Sequence, residues 1–176
     1  LAGGSQLSYD ELAELCLSIE PSDASFYPGI VSFDYIHGKH LDPLGPCPPM
    51  TILIFDEGGT VDTVAFNARS DLKALVAAKE PQVLEALALF KEGLHTHDCK
   101  AIGAAATASA RANQEILPKL SLEFVTKIGS EFGSIGTVVA HSGTIVGLLF
   151  EGDAQTADTE RIDACRETIS QRLPQL

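Results

Sequence analysis

The densest grouping of chemistry-bearing residues in this 176-residue sequence is His141-Ser142-Gly143-Thr144, which puts an imidazole, two hydroxyls and a run of backbone N–H groups in four positions. Successive N–H groups can cradle a phosphate or carboxylate, and Gly143 lets a ligand come close to the main chain. The same residues also read as an ordinary polar turn. Asp23, after Pro21-Ser22, reads locally as a turn former or helix cap. Two histidine groupings bear on metals. His37-Gly38-Lys39-His40 has no carboxylate or thiol in register and reads as a solvated turn. His95-Thr96-His97-Asp98-Cys99 is rich in ligand types, but it reads as a helix junction capped by Asp98 or Thr96, and no second ligand cluster exists. No metal site is expected.

The elements that must position these residues follow from periodicity and punctuation. Ser8-x-x-Glu11 is a capping box, and Leu12, Leu15, Cys16 and Ile19 recur at helical spacing until Pro21, which predicts a helix over 8–20. Val31 to Tyr35 reads as a strand, the proline-rich stretch 42–49 as a loop, and Thr51 to Phe55 as a buried strand. Asp56 to Thr63 reads as a two-glycine hairpin turn. Helices dominate from Asp71: one to Lys79, a second opened by Pro81, a third from Ala101 to Leu117, and a fourth capped by Ser121 and stopped by Gly133. The β-branched segments on either side of the 141–144 break predict two strands, and Ile162, Cys165, Ile169 and Leu173 stripe a last helix.

Twelve Lys and Arg against 24 Asp and Glu give a net charge of -12 with no basic patch, which argues against nucleic acid and anionic membrane as partners. No run is long enough to span a bilayer. The four cysteines, Cys16, Cys47, Cys99 and Cys165, are scattered without ligand or framework spacing and read as reduced thiols of a cytoplasmic protein.

Gly133-x-x-Gly136, then Ser142-Gly143 and an apolar strand, resembles the third motif of the GHMP kinases, the superfamily of galactokinase, homoserine kinase, mevalonate kinase and phosphomevalonate kinase. Ala140-His141 stand where homoserine kinases have Ser-Gly, and Thr144 replaces their proline. The Ala-His-Ser-Gly-Thr variant is most similar to the L-threonine kinases of cobalamin biosynthesis in propanediol-utilising bacteria. The resemblance implies an α+β protein in two parts. Residues 1–70 would end an N-terminal domain like ribosomal protein S5 domain 2, and residues 71–176 would form a ferredoxin-like C-terminal domain, with helices on one face of an antiparallel sheet. It also implies the C-terminal part of a longer kinase, whose phosphate loop lies upstream of Leu1. Its cofactors would be ATP and Mg, and the fragment alone would be inactive.

Site roles are implied in the same way. Asp23, beside Ser22, matches the aspartate that serves as base in galactokinases and mevalonate kinases, although homoserine kinases usually lack it. Asp62-Thr63 with Phe66-Asn67-Ala68-Arg69 resembles the segment whose arginine binds the amino-acid carboxylate in homoserine kinases, which makes Arg69 the candidate here. A surface arginine at a domain junction is the alternative. Asn113 stands where those kinases place a second carboxylate-binding arginine, and Arg111 would point to a different face. His141, Ser142, Gly143 and Thr144 would surround the acceptor. The expected partners are a small amino-acid or alcohol substrate and the N-terminal part of the same kinase, with a homodimer left open. Homoserine kinase-like activity, another GHMP kinase, a non-catalytic ferredoxin-like ligand-binding or regulatory module, and a microcompartment assembly protein remain alternatives.

Overall fold

The computed structural model describes residues 7–19, 21–62, 65–66, 68–140, 143–174 and 176. Four residues named above, Thr63, Asn67, His141 and Ser142, lie outside the described residues, as does the stretch 1–5. Contacts divide the chain into two compact units, Leu1–Cys47 and Pro48–Leu176. This division falls ahead of the boundary that the sequence puts at residue 70. The cause is β3 (Met50–Asp56), which pairs along its whole length with β5 (Ile145–Glu151) and so belongs to the second unit.

In the first unit, α1 (Tyr9–Ile19) starts at the capping box: the Ser8 N–H donates to Glu11 Oε2 at 2.8 Å, and the Glu11 N–H donates to Ser8 Oγ at 3.2 Å. The strand expected at 31–35 is β1 (Ile30–Phe33). It stops early because Asp34 turns the chain, its Oδ1 accepting the N–H groups of Ile36 and His37 at 3.1 and 3.0 Å. β1 pairs antiparallel with β2 (Leu41–Gly45), so the first half of the expected proline-rich loop is a strand. Pro43 is compatible with this because each strand of a two-stranded ribbon has an edge that needs no N–H.

In the second unit β5 is central, flanked by β3 and by β4 (Gly136–Val139), with both pairings antiparallel. The period-two alternation of β5 sends Val146, Leu148 and Phe150 to one face, where all three are fully buried. Against them pack Leu122, Val125 and Ile128 of α4 (Leu122–Glu131) and Ile162, Cys165 and Ile169 of α5 (Thr159–Arg172). Helices thus cover one face of an antiparallel sheet, the expected α+β arrangement. Burial pushes the Cys165 thiol up to about 11, so it packs as a small hydrophobe. No described helix is long and apolar enough to cross a membrane.

The two helices expected on either side of residue 80 are one, α2 (Leu72–Thr96), with Pro81 inside it. Proline removes one backbone bond, while the turns before and after it keep theirs. α2 ends on His97, the one described non-glycine residue with positive φ (58°). Asp98 then caps α3 (Cys99–Ala112), its carboxylate accepting the N–H groups of Lys100 and Ala101. The histidine-rich junction therefore serves as a helix boundary, and among the described residues no group of three or more His, Cys, Asp or Glu is placed to hold a metal ion.

The small residues of α3 allow a close approach to β4. A Cβ on Gly103 would lie 2.1 Å from the Ile135 carbonyl oxygen, and one on Gly136 would lie 2.0 Å from the Gly103 carbonyl oxygen. Thr107 Oγ1 joins the same contact by accepting the Thr137 N–H at 2.9 Å. Gly136, part of the motif, is therefore needed for packing. Because backbone atoms cannot rotate aside as a side chain can, Gly103→Ala is expected to lower unfolding free energy by roughly 2–3 kcal/mol, the upper end of overpacking costs. Urea denaturation checks this, and an unchanged midpoint would refute the close contact. Gly133 (φ 77°) ends α4 as expected: its N–H bonds the Ser130 carbonyl, and the Ser134 N–H bonds the Gly129 carbonyl, a Schellman pattern.

Candidate functional site

The C-terminal end of β3 and the N-terminal end of β5 are held together by polar bonds that the pairing of apolar strands alone would not supply. The Thr144 hydroxyl donates to Asp56 Oδ1 at 2.5 Å, and the Glu57 N–H donates to the Thr144 carbonyl at 3.1 Å. Asp56 Oδ1 also accepts the Gly58 N–H at 2.9 Å. These bonds, that of Thr144 foremost, hold the Asp56 carboxyl below its usual range. Glu57 reaches across to the start of α4, where its Oε1 accepts both the N–H and the hydroxyl of Ser121 at 2.6 Å. Ser121 stands at the N-cap position but makes no side-chain cap bond, so the Glu57 carboxylate supplies the cap and the favourable negative charge at the helix N-terminus.

Glu57, Gly58 and Ser121 line a cleft of about 430 Å³ with Gly143, Thr144 and Lys119 on its wall and Val61, Leu117 and Phe124 among its apolar surfaces. Its size suits a small-molecule site. Lys119 is only 3% exposed and is the one cation among the described lining residues. Gln114 grips its main chain from both sides, Oε1 accepting the Lys119 N–H at 2.7 Å and Nε2 donating to the Lys119 carbonyl at 2.9 Å. Burial pushes the Lys119 ammonium below its usual range, and the charge of Glu57 only partly opposes this.

Of the residues singled out from the sequence, the structure brings Gly143 and Thr144 into this cleft. Asp62 lies outside its lining; its Oδ1 accepts the Ala65 N–H at 2.9 Å and turns the chain. Arg69 is occupied: Nε and Nη2 donate to the two oxygens of Asp71 at 3.0 and 2.9 Å, and Nη1 donates to the Ile116 carbonyl at 2.7 Å. That fork is the geometry an arginine would offer a substrate carboxylate, and here a neighbouring side chain fills it. Arg111 is likewise paired with Glu123 through two bonds of 2.9 Å. Asn113 is 6% exposed and outside the lining of the cleft, and its Nδ2 has no hydrogen-bond partner among the described residues.

In the first unit, the Ser22 N–H donates to the Tyr35 carbonyl at 3.0 Å, and Asp23 is exposed. Asp34, Asp56, Asp98 and Asp153 each accept a backbone N–H two residues on, the behaviour of a turn-forming aspartate. Asp23 makes no such bond among the described residues. The contributions of Lys119, Glu57 and Gln114 are absent from the sequence reading. The only local signal for Lys119 was its place after Pro118 in the loop that precedes α4.

No protein-family model matches the chain. It is 31% identical over 148 residues to the L-threonine kinase of Salmonella typhimurium, covering 84% of this chain and 49% of that protein. To the L-threonine kinase of Citrobacter freundii it is 29% identical over 158 residues, 88% of this chain and 54% of that protein. The chain thus spans about half the length of these curated relatives. In fold it resembles L. major mevalonate kinase, crystallised with R-mevalonate, with a TM-score of 0.74 at 15% identity over 97% of this chain and 56% of that one. Homoserine kinase from Cytophaga hutchinsonii gives a TM-score of 0.65, again at 15% identity, over 96% of this chain and 54% of that one. Sequence and fold agree on one assignment: the chain belongs to the GHMP kinase superfamily and corresponds to the C-terminal part of its members.

Proposed function

We propose that this chain is the acceptor-side part of an ATP-dependent kinase that phosphorylates the side-chain hydroxyl of L-threonine. The observation that carries the reading is the cleft lined by Glu57 and Gly58 together with Gly143 and Thr144 of the stretch that resembles the third superfamily motif, the Thr144–Asp56 bond holding the two sides together. The two relatives named L-threonine kinase direct the choice of acceptor. In this reading Asp23, next to Ser22, takes the proton from the acceptor hydroxyl. The segment around Thr144, with His141 and Ser142, donates hydrogen bonds to the acceptor or the transferred phosphoryl group. Asp62, Thr63, Arg69 and Asn113 support the acceptor pocket, and Arg69 can act on a substrate only by exchanging Asp71 for it.

The described residues fit ATP and magnesium poorly. The cleft carries a single cation, and Asp56 and Glu57 already spend carboxylate oxygens on Thr144, Gly58 and Ser121. Phosphate and metal binding are therefore assigned to the remainder of a longer polypeptide, and the 176-residue chain by itself is expected to be inactive. A cytoplasmic setting in cobalamin biosynthesis and propanediol utilisation belongs to the same proposal.

The test is to incubate the intact polypeptide with ATP, magnesium and one amino acid at a time, following products by phosphorus NMR. Phosphothreonine is expected in preference to phosphohomoserine. Preference for homoserine, a sugar or mevalonate would overturn the threonine reading.

A further inference from the structure

We infer that Lys119 is the cation that recognises the α-carboxylate of the acceptor in this cleft, an inference that rests on the threonine-kinase reading. Lysine is rarely buried without a partner, and Lys119 is 3% exposed as a residue. Its ammonium, which is not among the buried side-chain atoms left without a partner, keeps its small accessible surface, and no carboxylate oxygen among the described residues lies within 4.0 Å of it. Its main chain is fixed on the wall of the cleft, because Gln114 holds both its N–H and its carbonyl. The ammonium is thus largely withdrawn from water on the wall of the cleft, with the charge of Glu57 as its only, and partial, internal compensation among the described residues. An anion entering the cleft supplies the missing partner.

The neighbouring groups narrow the ligand. Glu57, the nearest source of negative charge, is bonded at the start of α4 through Ser121. The two arginines that could share the work are occupied, Arg69 by Asp71 and Arg111 by Glu123. One ammonium beside one carboxylate, with Val61, Leu117 and Phe124 on the apolar side, suits a small acid that also carries a positive group and a short alkyl chain. An amino acid in its zwitterionic form has these features. A nucleotide triphosphate would bring several negative charges to a cleft with one cation and a fixed carboxylate, which is poor complementarity.

The experiment uses the intact polypeptide with Lys119→Met and Lys119→Arg. The acceptors are L-threonine and 1-amino-2-propanol, which is threonine without its carboxylate. For Lys119→Met the KM for L-threonine is expected to rise roughly ten- to hundredfold, the effect of losing a hydrogen bond to a charged group. Turnover at saturation and the KM for ATP should stay within about twofold. The wild type should prefer threonine to 1-amino-2-propanol, Lys119→Met should lose that preference, and Lys119→Arg should keep part of it. The melting temperature of Lys119→Met should not fall, because no internal ion pair is broken. An unchanged KM in a Lys119→Met variant that still phosphorylates threonine overturns the inference alone. A selective rise in the KM for ATP does so by making this a phosphate site, and a fall in melting temperature does so by making Lys119 the structural partner of Glu57. A wild type that leaves threonine untouched removes the threonine reading first, and the inference with it.

Discussion

Asp23→Asn in the intact kinase is expected to lower turnover by roughly a hundred- to ten-thousandfold, the usual contribution of a general base, with little change in KM for the acceptor. Asparagine keeps the shape and the hydrogen-bonding reach of aspartate but cannot take a proton. If Asp23 merely capped a turn, asparagine would serve nearly as well, because the two residues are near-equal caps. The structure bears on the choice: the turn-forming aspartates of this chain, Asp34 and Asp98 among them, accept backbone N–H groups, whereas Asp23 accepts none among the described residues. Turnover and thermal stability should therefore separate, the first falling and the second holding. Near-normal turnover would assign the rate to positioning and charge stabilisation without a side-chain base.

Phe150→Ala is expected to cost about 3–5 kcal/mol of stability, the range for emptying a large aromatic site in a core. Phe150 is fully buried on the central strand, in the cluster that joins Val125 and Ile128 of α4 to Cys165 and Ile169 of α5. Removing it leaves a void between the sheet and both helices, and neighbours that are themselves fully buried have little freedom to fill it. Guanidinium denaturation of the 176-residue chain is the measurement, with the midpoint falling and the slope unchanged. A loss under about 1 kcal/mol would mean that this face of β5 is less tightly covered than the structure shows.

The sequence by itself determined what is set within a few residues of the chain. The Ser8–Glu11 box starts α1 because both partners lie in one turn. Gly133 ends α4 because only local backbone angles are involved. The apolar, β-branched runs that became β3, β4 and β5 were legible as strands, and so was the likeness to the superfamily, which sits in contiguous motifs; but β3, expected as a buried central strand, lies at the sheet edge with Ile52 and Ile54 exposed, because β5 takes the centre. Local signals also misled where context outweighed them: Pro81 did not end a helix, and Pro43 did not prevent a strand.

Only the tertiary structure decided which side chains share the cleft and which are already engaged. Glu57 caps a helix 64 residues away, and Thr144 bonds an aspartate 88 residues away. Arg69 was legible as a fork of donors, but its occupation by Asp71 together with the Ile116 carbonyl was not, because the latter lies 47 residues on. Nothing in the sequence distinguishes Lys119 from a surface lysine after a proline. Its burial comes from the packing of the loop before α4 against the ends of β3 and β5, and burial is what turns a solvated charge into one that needs a partner.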